Sequence, residues 1–74
     1  MKKHKYERIL DMFIALEAGK ILTKAYLAQE YGVDERTIQR DIDDIRAYYY
    51  DSGEYAGVKE VIYDHSCGGF KIAA

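Results

Sequence analysis

Between Thr23 and Asp43 the sequence sets Ala28, Gly32 and Ile38 at intervals of four and six residues. This spacing constrains the fold more than any other stretch. It predicts two short helices joined by a tight turn. In such a helix-turn-helix unit the first helix needs a small residue where the second crosses it. A glycine then makes the turn, and an aliphatic side chain fastens the second helix. Ala28, Gly32 and Ile38 meet those needs in order. Any helical hairpin with a glycine turn would share the spacing, so the flanking residues carry the distinction. Thr23 and Asp34 stand where each helix needs an N-cap, a side chain that accepts a bond from the unpaired amides of the first turn. Leu27, Tyr31 and Val33 supply apolar contacts within the pair.

The rest of the chain supplies a scaffold for this unit. Tyr6, Ile9, Leu10, Phe13, Ile14 and Leu16 recur at three- and four-residue intervals, predicting a helix over about 5–18 with these six on its buried face. Its opposite face is Glu7, Arg8, Asp11 and Glu17, and Gly19 stands where a left-handed C-cap is wanted. Ile21 and Leu22 form a short apolar link suited to pair with a later strand. The second helix is expected over about 24–31 and the third over about 35–49. In the third, Ile38, Ile42, Ile45 and Tyr49 share one face, leaving Arg36, Arg40, Asp43 and Ala47 opposite. Asp41 falls beside the apolar stripe, where it would bond to a neighbouring element or pair with a lysine, while Asp43 and Asp44 are expected in solvent.

Beyond a loop over 51–57, Val58 to Tyr63 alternates and is β-rich, two glycines follow in the turn 65–69, and Phe70 to Ile72 is a second short strand. This predicts a β-hairpin over about 58–73, with Phe70 and Ile72 facing the third helix and Lys71 outward. The fold class is therefore mainly α with a small β-hairpin, a three-helix winged helix-turn-helix occupying residues 1–74.

With 74 residues, the chain is one small domain near the lower limit for a single apolar core, and 49% hydrophobic residues make such a core feasible. One cysteine, Cys67, excludes an intrachain disulfide and points to a reducing, cytoplasmic setting. No run of about eighteen apolar residues and no signal-peptide pattern is present, so no membrane association is expected. The net charge of −2 looks unfavourable for nucleic acid, but its distribution matters more than its sum. Residues 1–40 hold eight Lys/Arg against six Asp/Glu, and residues 41–74 hold three against seven. The half containing the turn unit is positive, although an isolated domain should bind DNA only modestly.

Four residues on the outward side of the third helix's first two turns match the needs of major-groove reading. Arginine donates two parallel bonds to a guanine edge, glutamine does the same for adenine, and threonine contacts a phosphate or a thymine methyl. Arg36 and Gln39 are the first choices for base edges, with Thr37 and Arg40 for backbone or mixed contacts. A helix entering by its N-terminus also aims unpaired amides at phosphate. The candidate DNA-binding set is Thr23, Asp34, Glu35, Arg36, Thr37, Gln39, Arg40, His65 and Lys71. The competing reading makes them solvated helix residues, with Arg36 or Arg40 paired to Asp43 or Asp44. Lys2, Lys3 and Lys5 form a basic tail, either solvated or reaching phosphate.

Catalysis finds no support: there is no nucleophile with a base, no glycine-rich phosphate loop and no ligand cluster. His65 and Cys67 at the hairpin tip are too few for a metal, and no cofactor is implied. Of Tyr48, Tyr49 and Tyr50, periodicity assigns one to the core, and the other two are either an edge of it or a contact surface. If they are a contact surface, the domain is a protein-association module without DNA binding.

The run LAQEYGVDERTIQRDIDDI, Leu27 to Ile45, followed by VIYDHSCGGFKI, Val61 to Ile72, resembles the N-terminal winged helix of DeoR-type bacterial transcriptional regulators, especially those carrying a C-terminal WYL domain. The resemblance covers most of Tyr6 to Ile72. It is most specific at Thr37, Ile38, Arg40 and Asp41, and at Gly68, Gly69 and the aromatic that follows. It implies sequence-specific binding of double-stranded operator DNA by the third helix with the wing flanking it, usually as a homodimer, and a structural part for Asp41. Asp34 stands where the family more often has serine, which keeps the cap and adds charge near phosphate. The chain stops at Ala74, which fits either a DNA-binding fragment whose dimerising domain lies further on, or a small stand-alone protein.

Overall fold

A computed structural model describes residues 3–51 and 59–73. Its elements are α1 (Lys5–Glu17), α2 (Lys24–Tyr31), α3 (Glu35–Asp51), β1 (Glu60–Asp64) and β2 (Gly69–Ala73). Three helices and a two-stranded antiparallel hairpin make a winged helix-turn-helix. Lys2, Val58 and most of the expected loop before Val58 lie outside the described residues.

Local chemistry sets the helix ends. The Glu7 carboxylate accepts from the His4 amide at 2.9 Å at the start of α1. At its end the Gly19 amide donates to Leu16 O and the Lys20 amide to Ala15 O, both at 3.0 Å. That double closure needs a left-handed residue, which Gly19 supplies at φ 82°. Gly32, at φ 68°, turns the chain between α2 and α3, and Asp34 then caps α3. Thr23 occupies the cap position of α2, but its side chain makes no capping bond, contrary to expectation. The entry to α2 is fixed by backbone instead: Leu22 and Phe70 exchange amide–carbonyl bonds of 2.8 and 2.7 Å immediately before it.

The face of α1 also differs from expectation. Its buried side chains are Arg8, Met12 and Leu16, with Ile9 and Phe13 packed at the edge, while Tyr6, Leu10 and Ile14 are exposed. The cause is an ion pair. Arg8 Nε lies 2.7 Å from Asp41 Oδ2 and its second terminal nitrogen 3.4 Å from Oδ1, with only 8% of Arg8 and 1% of Asp41 exposed. Arg8, Met12 and Leu16 are four residues apart, so seating the guanidinium on Asp41 turns the whole stripe inward. Asp41 thus bonds to a neighbouring element as expected, through an arginine rather than a lysine.

The apolar face of α3 is the expected one: Ile38, Ile42, Ile45 and Tyr49 are buried. The Tyr49 ring stacks on Phe13 with 5.5 Å between centroids, and its hydroxyl donates to Glu17, which Lys59 also reaches at 3.3 Å. Tyr48 and Tyr50 stay exposed. Of the basic tail, Lys3 pairs with Asp11 at 2.6 Å and Lys5 with Asp44 at 3.0 Å.

The wing runs from Glu60 opposite Ala73 to Asp64 opposite Gly69. Leu22 extends it through its bridge to Phe70, as the apolar link suggested. Gly69 lies where this link passes closest. A Cβ there would meet Leu22 O at 2.6 Å and Leu22 C at 3.2 Å, and backbone cannot retreat without opening the bridge. Gly69→Ala is therefore expected to cost about 1–3 kcal/mol in urea unfolding, the usual range for overpacking. An unchanged midpoint would mean that the link shifts freely.

Candidate nucleic-acid interface

The first two turns of α3 hold five of the nine candidate residues, and a sixth, Asp34, is the cap that organises them. Asp34 Oδ1 accepts from the Thr37 amide at 2.8 Å and from the Thr37 hydroxyl at 2.7 Å. These two bonds hold the Asp34 carboxyl below the usual carboxylate range, with Arg36 and Arg40 adding smaller effects of the same sign. The Thr37 hydroxyl proton is already committed, so a phosphate contact from it requires release of Asp34.

The arginines are differently placed. Arg36 and Arg40 are exposed, and among the described residues neither makes an ion pair or a hydrogen bond. The aspartates that might have held them are taken: Asp43 accepts from Gln39 Nε2 at 3.0 Å and lies 3.6 Å from Arg46 Nη1, and Asp44 holds Lys5. Gln39 is half-buried, with one of its two amide N–H groups given to Asp43. Glu35 is exposed on the same turn.

The remaining candidates are spread across other elements. Thr23 is half-buried at the start of α2. His65 is exposed at the wing tip, its ring edge-on to Tyr63 with centroids 4.8 Å apart. Lys71 is on the outward side of β2, but its Nζ lies 2.8 Å from Asp64 Oδ2. Asp64 also accepts from the Ser66 hydroxyl at 2.6 Å and the Ser66 amide at 2.9 Å. Lys71 and Ser66 together hold its carboxyl far below the usual range, and Asp64 in turn raises the Lys71 ammonium. The wing tip is thus internally tied, with His65 its open side chain.

Sequence reasoning missed Arg46. Its Nε donates to Val61 O at 3.2 Å, and its guanidinium stands over the Phe70 ring, 5.5 Å from the centroid. This side chain fastens the wing to α3. No local signal marks this contact, because Val61 and Phe70 arrive fifteen residues or more downstream, whereas its one nearby partner is Asp43. Arg8 did leave a signal: it continues the Met12–Leu16 spacing by one turn, and Asp41 in the core stripe required a partner.

Asp34, Asp64 and Glu17, whose carboxyl is lowered chiefly by the Tyr49 hydroxyl, share one linkage. A carboxylate with a depressed folded pKa binds fewer protons than its unfolded counterpart, so stability rises with pH across the window between the two values. The contribution is complete above about pH 4, the ordinary carboxylate value. It is lost as pH falls through the lowered values. Thermal midpoints followed by circular dichroism should therefore be flat from about pH 7 to 5 and fall below about pH 4. Asp34→Asn should shallow that fall.

A family model described as an HTH domain, HTH_11, matches residues 8–51, more than half the chain, from Arg8 to the end of α3. The chain belongs to this HTH family. Membership supports DNA binding by a helix-turn-helix domain. No curated protein and no solved structure matches the chain. No helix among the described residues is long and apolar enough to cross a membrane.

Proposed function

We propose that this HTH domain is the DNA-binding domain of a bacterial transcriptional regulator of the DeoR type, of the kind that carries a WYL domain. It binds double-stranded operator DNA sequence-specifically, with the N-terminal half of α3 in the major groove. The observation that carries this reading is a pair of exposed guanidinium groups, Arg36 and Arg40, one turn apart on the second helix of the unit and with no hydrogen bond or ion pair among the described residues. Arginines in that position can donate two parallel bonds to guanine edges without first breaking an ion pair. Gln39 joins with its remaining amide N–H and its carbonyl oxygen, and Thr37 after releasing Asp34. Thr23, Asp34 and Glu35 lie at helix N-termini near the backbone, with the capped Asp34 held in place. His65 reaches the duplex from the wing tip, and Lys71 contributes positive charge beside it. The regulator acts from the cytoplasm, and residues 1–74 serve as one domain.

The test is a salt titration of binding to duplex DNA from upstream of the protein's own gene. Binding should weaken linearly on logarithmic axes, with a slope set by the phosphates neutralised. Absence of salt-dependent binding even at low ionic strength would sink the reading. It would favour instead a protein-association module using the exposed Tyr48 and Tyr50.

A further inference from the structure

Gln39 and Asp43 are one turn apart on α3, and Gln39 Nε2 donates to Asp43 Oδ1 at 3.0 Å. A carboxylate only accepts, so the nitrogen of the carboxamide, not its oxygen, must face it. The bond therefore decides which way round the Gln39 side chain is presented. It also takes one of the two N–H groups, leaving one N–H and the oxygen for a ligand. Pairs of this kind are common on helices and hold only loosely in water. This one is anchored from its other side as well. The same Asp43 oxygen lies 3.6 Å from Arg46 Nη1, and Arg46 is tied to the wing through Val61 O at 3.2 Å and through the Phe70 ring. Asp43 Oδ1 thus stands between a side chain of the candidate groove face and one fastened to the hairpin.

We propose that Asp43 is a positioning residue that commits Gln39 to adenine and against guanine, an inference that rests on the reading of α3 as the groove helix. In the major groove adenine presents an acceptor, N7, beside a donor, the N6 amino group. The donor and the acceptor left on Gln39 match that pair. Guanine presents two acceptors, N7 and O6. A glutamine with both N–H groups uncommitted can aim both at them. Gln39 held by Asp43 has one donor left, so its oxygen would meet a guanine acceptor with no proton between them. Asp43 supplies this mismatch without touching a base. Its charge has a second effect. The Asp43 side chain is 54% exposed beside the groove face, where a carboxylate weakens binding to every duplex alike by repelling phosphate. Removing it should raise general affinity while relaxing the choice of base at one position, a combination that loss of a merely structural contact does not give.

The test uses the full chain and a pool of duplexes randomised over the binding site, with enrichment read by sequencing. At one position the unmodified chain should favour adenine over guanine by about tenfold or more, and Asp43→Ala should bring that ratio within about threefold. The same variant should bind an unrelated duplex more tightly, with its helical signal and thermal midpoint kept. Asp44→Ala removes an equal charge one residue along and releases Lys5 rather than Gln39, so it should raise affinity and keep the ratio. On a Gln39→Ala background the preference should be gone, and adding Asp43→Ala should alter selectivity nowhere. An adenine preference that disappears in Gln39→Ala but survives in Asp43→Ala overturns the inference and leaves the reading of α3 standing. Relaxation by Asp44→Ala equal to that by Asp43→Ala overturns it too, as does selectivity that Gln39→Ala changes at no position. Absence of salt-dependent binding by the unmodified chain overturns both.

Discussion

Asp41→Ala is expected to lower the free energy of unfolding by about 3–5 kcal/mol, the cost of leaving one charge of a buried pair without its partner. Asp41 is almost wholly inaccessible, and its two oxygens receive two of the Arg8 guanidinium's bonds, the third going to the Lys3 carbonyl at 3.3 Å. Alanine would leave that cation desolvated beside a small void. A domain of 74 residues has a total stability of about 4–11 kcal/mol, so the variant should be marginal at 25 °C. Chemical denaturation by urea, followed by circular dichroism, measures the loss. The companion Arg8→Met with Asp41→Leu separates charge from packing. Replacing both members by apolar groups of similar volume should recover most of the stability, because a buried ion pair contributes little net free energy once its desolvation is counted. A loss under about 1 kcal/mol for Asp41→Ala would show that water reaches the pair.

Arg36→Ala combined with Arg40→Ala is expected to reduce affinity for the operator duplex by about 2–6 kcal/mol, two groove contacts at about 1–3 each. Neither side chain is buried or paired among the described residues, so the thermal midpoint should barely move. The loss then reports binding alone. Comparison with an unrelated duplex divides the effect. Base contacts cost affinity for the operator only, whereas phosphate contacts weaken both duplexes and lower the salt slope by about one for each arginine. Gln39→Ala should cost less, since it removes one groove contact rather than two. An operator affinity unchanged in the double variant would remove α3 from the groove.

The positions of α2, the turn and α3 were legible because their signals are local. Ala28, Gly32, Asp34 and Ile38 each do their work within one or two turns of their own place in the chain. A left-handed turn, a helix cap and a four-residue periodicity depend on few other residues. The wing was legible for the same reason, through alternation and the glycines between its strands. The roll of α1 was not. The expected face was right for Leu16, Ile9 and Phe13, but Tyr6, Leu10 and Ile14 turn outward and Arg8, assigned to solvent, turns in. Thr23 illustrates the limit at a cap: residue type and position were right, but a backbone bridge from Phe70 does the fixing.

The candidate interface divides along the same line. Sequence by itself determined the helix-turn-helix unit, the apolar face of α3 and the residue types on its outward side, because those follow from spacing along one helix. Only the tertiary structure decided which of those side chains are unencumbered. Arg36 and Arg40 make no hydrogen bond or ion pair among the described residues, while Asp44 is held by Lys5 of α1 and Asp43 by Gln39 and Arg46 of α3 itself. It also decided that Arg8 belongs to the core and that Tyr6, Leu10 and Ile14 remain outside. The physical reason is that burying a charge requires a specific partner at hydrogen-bond distance. That partner, Asp41, lies thirty-three residues away along the chain and comes within reach only when α1 and α3 pack.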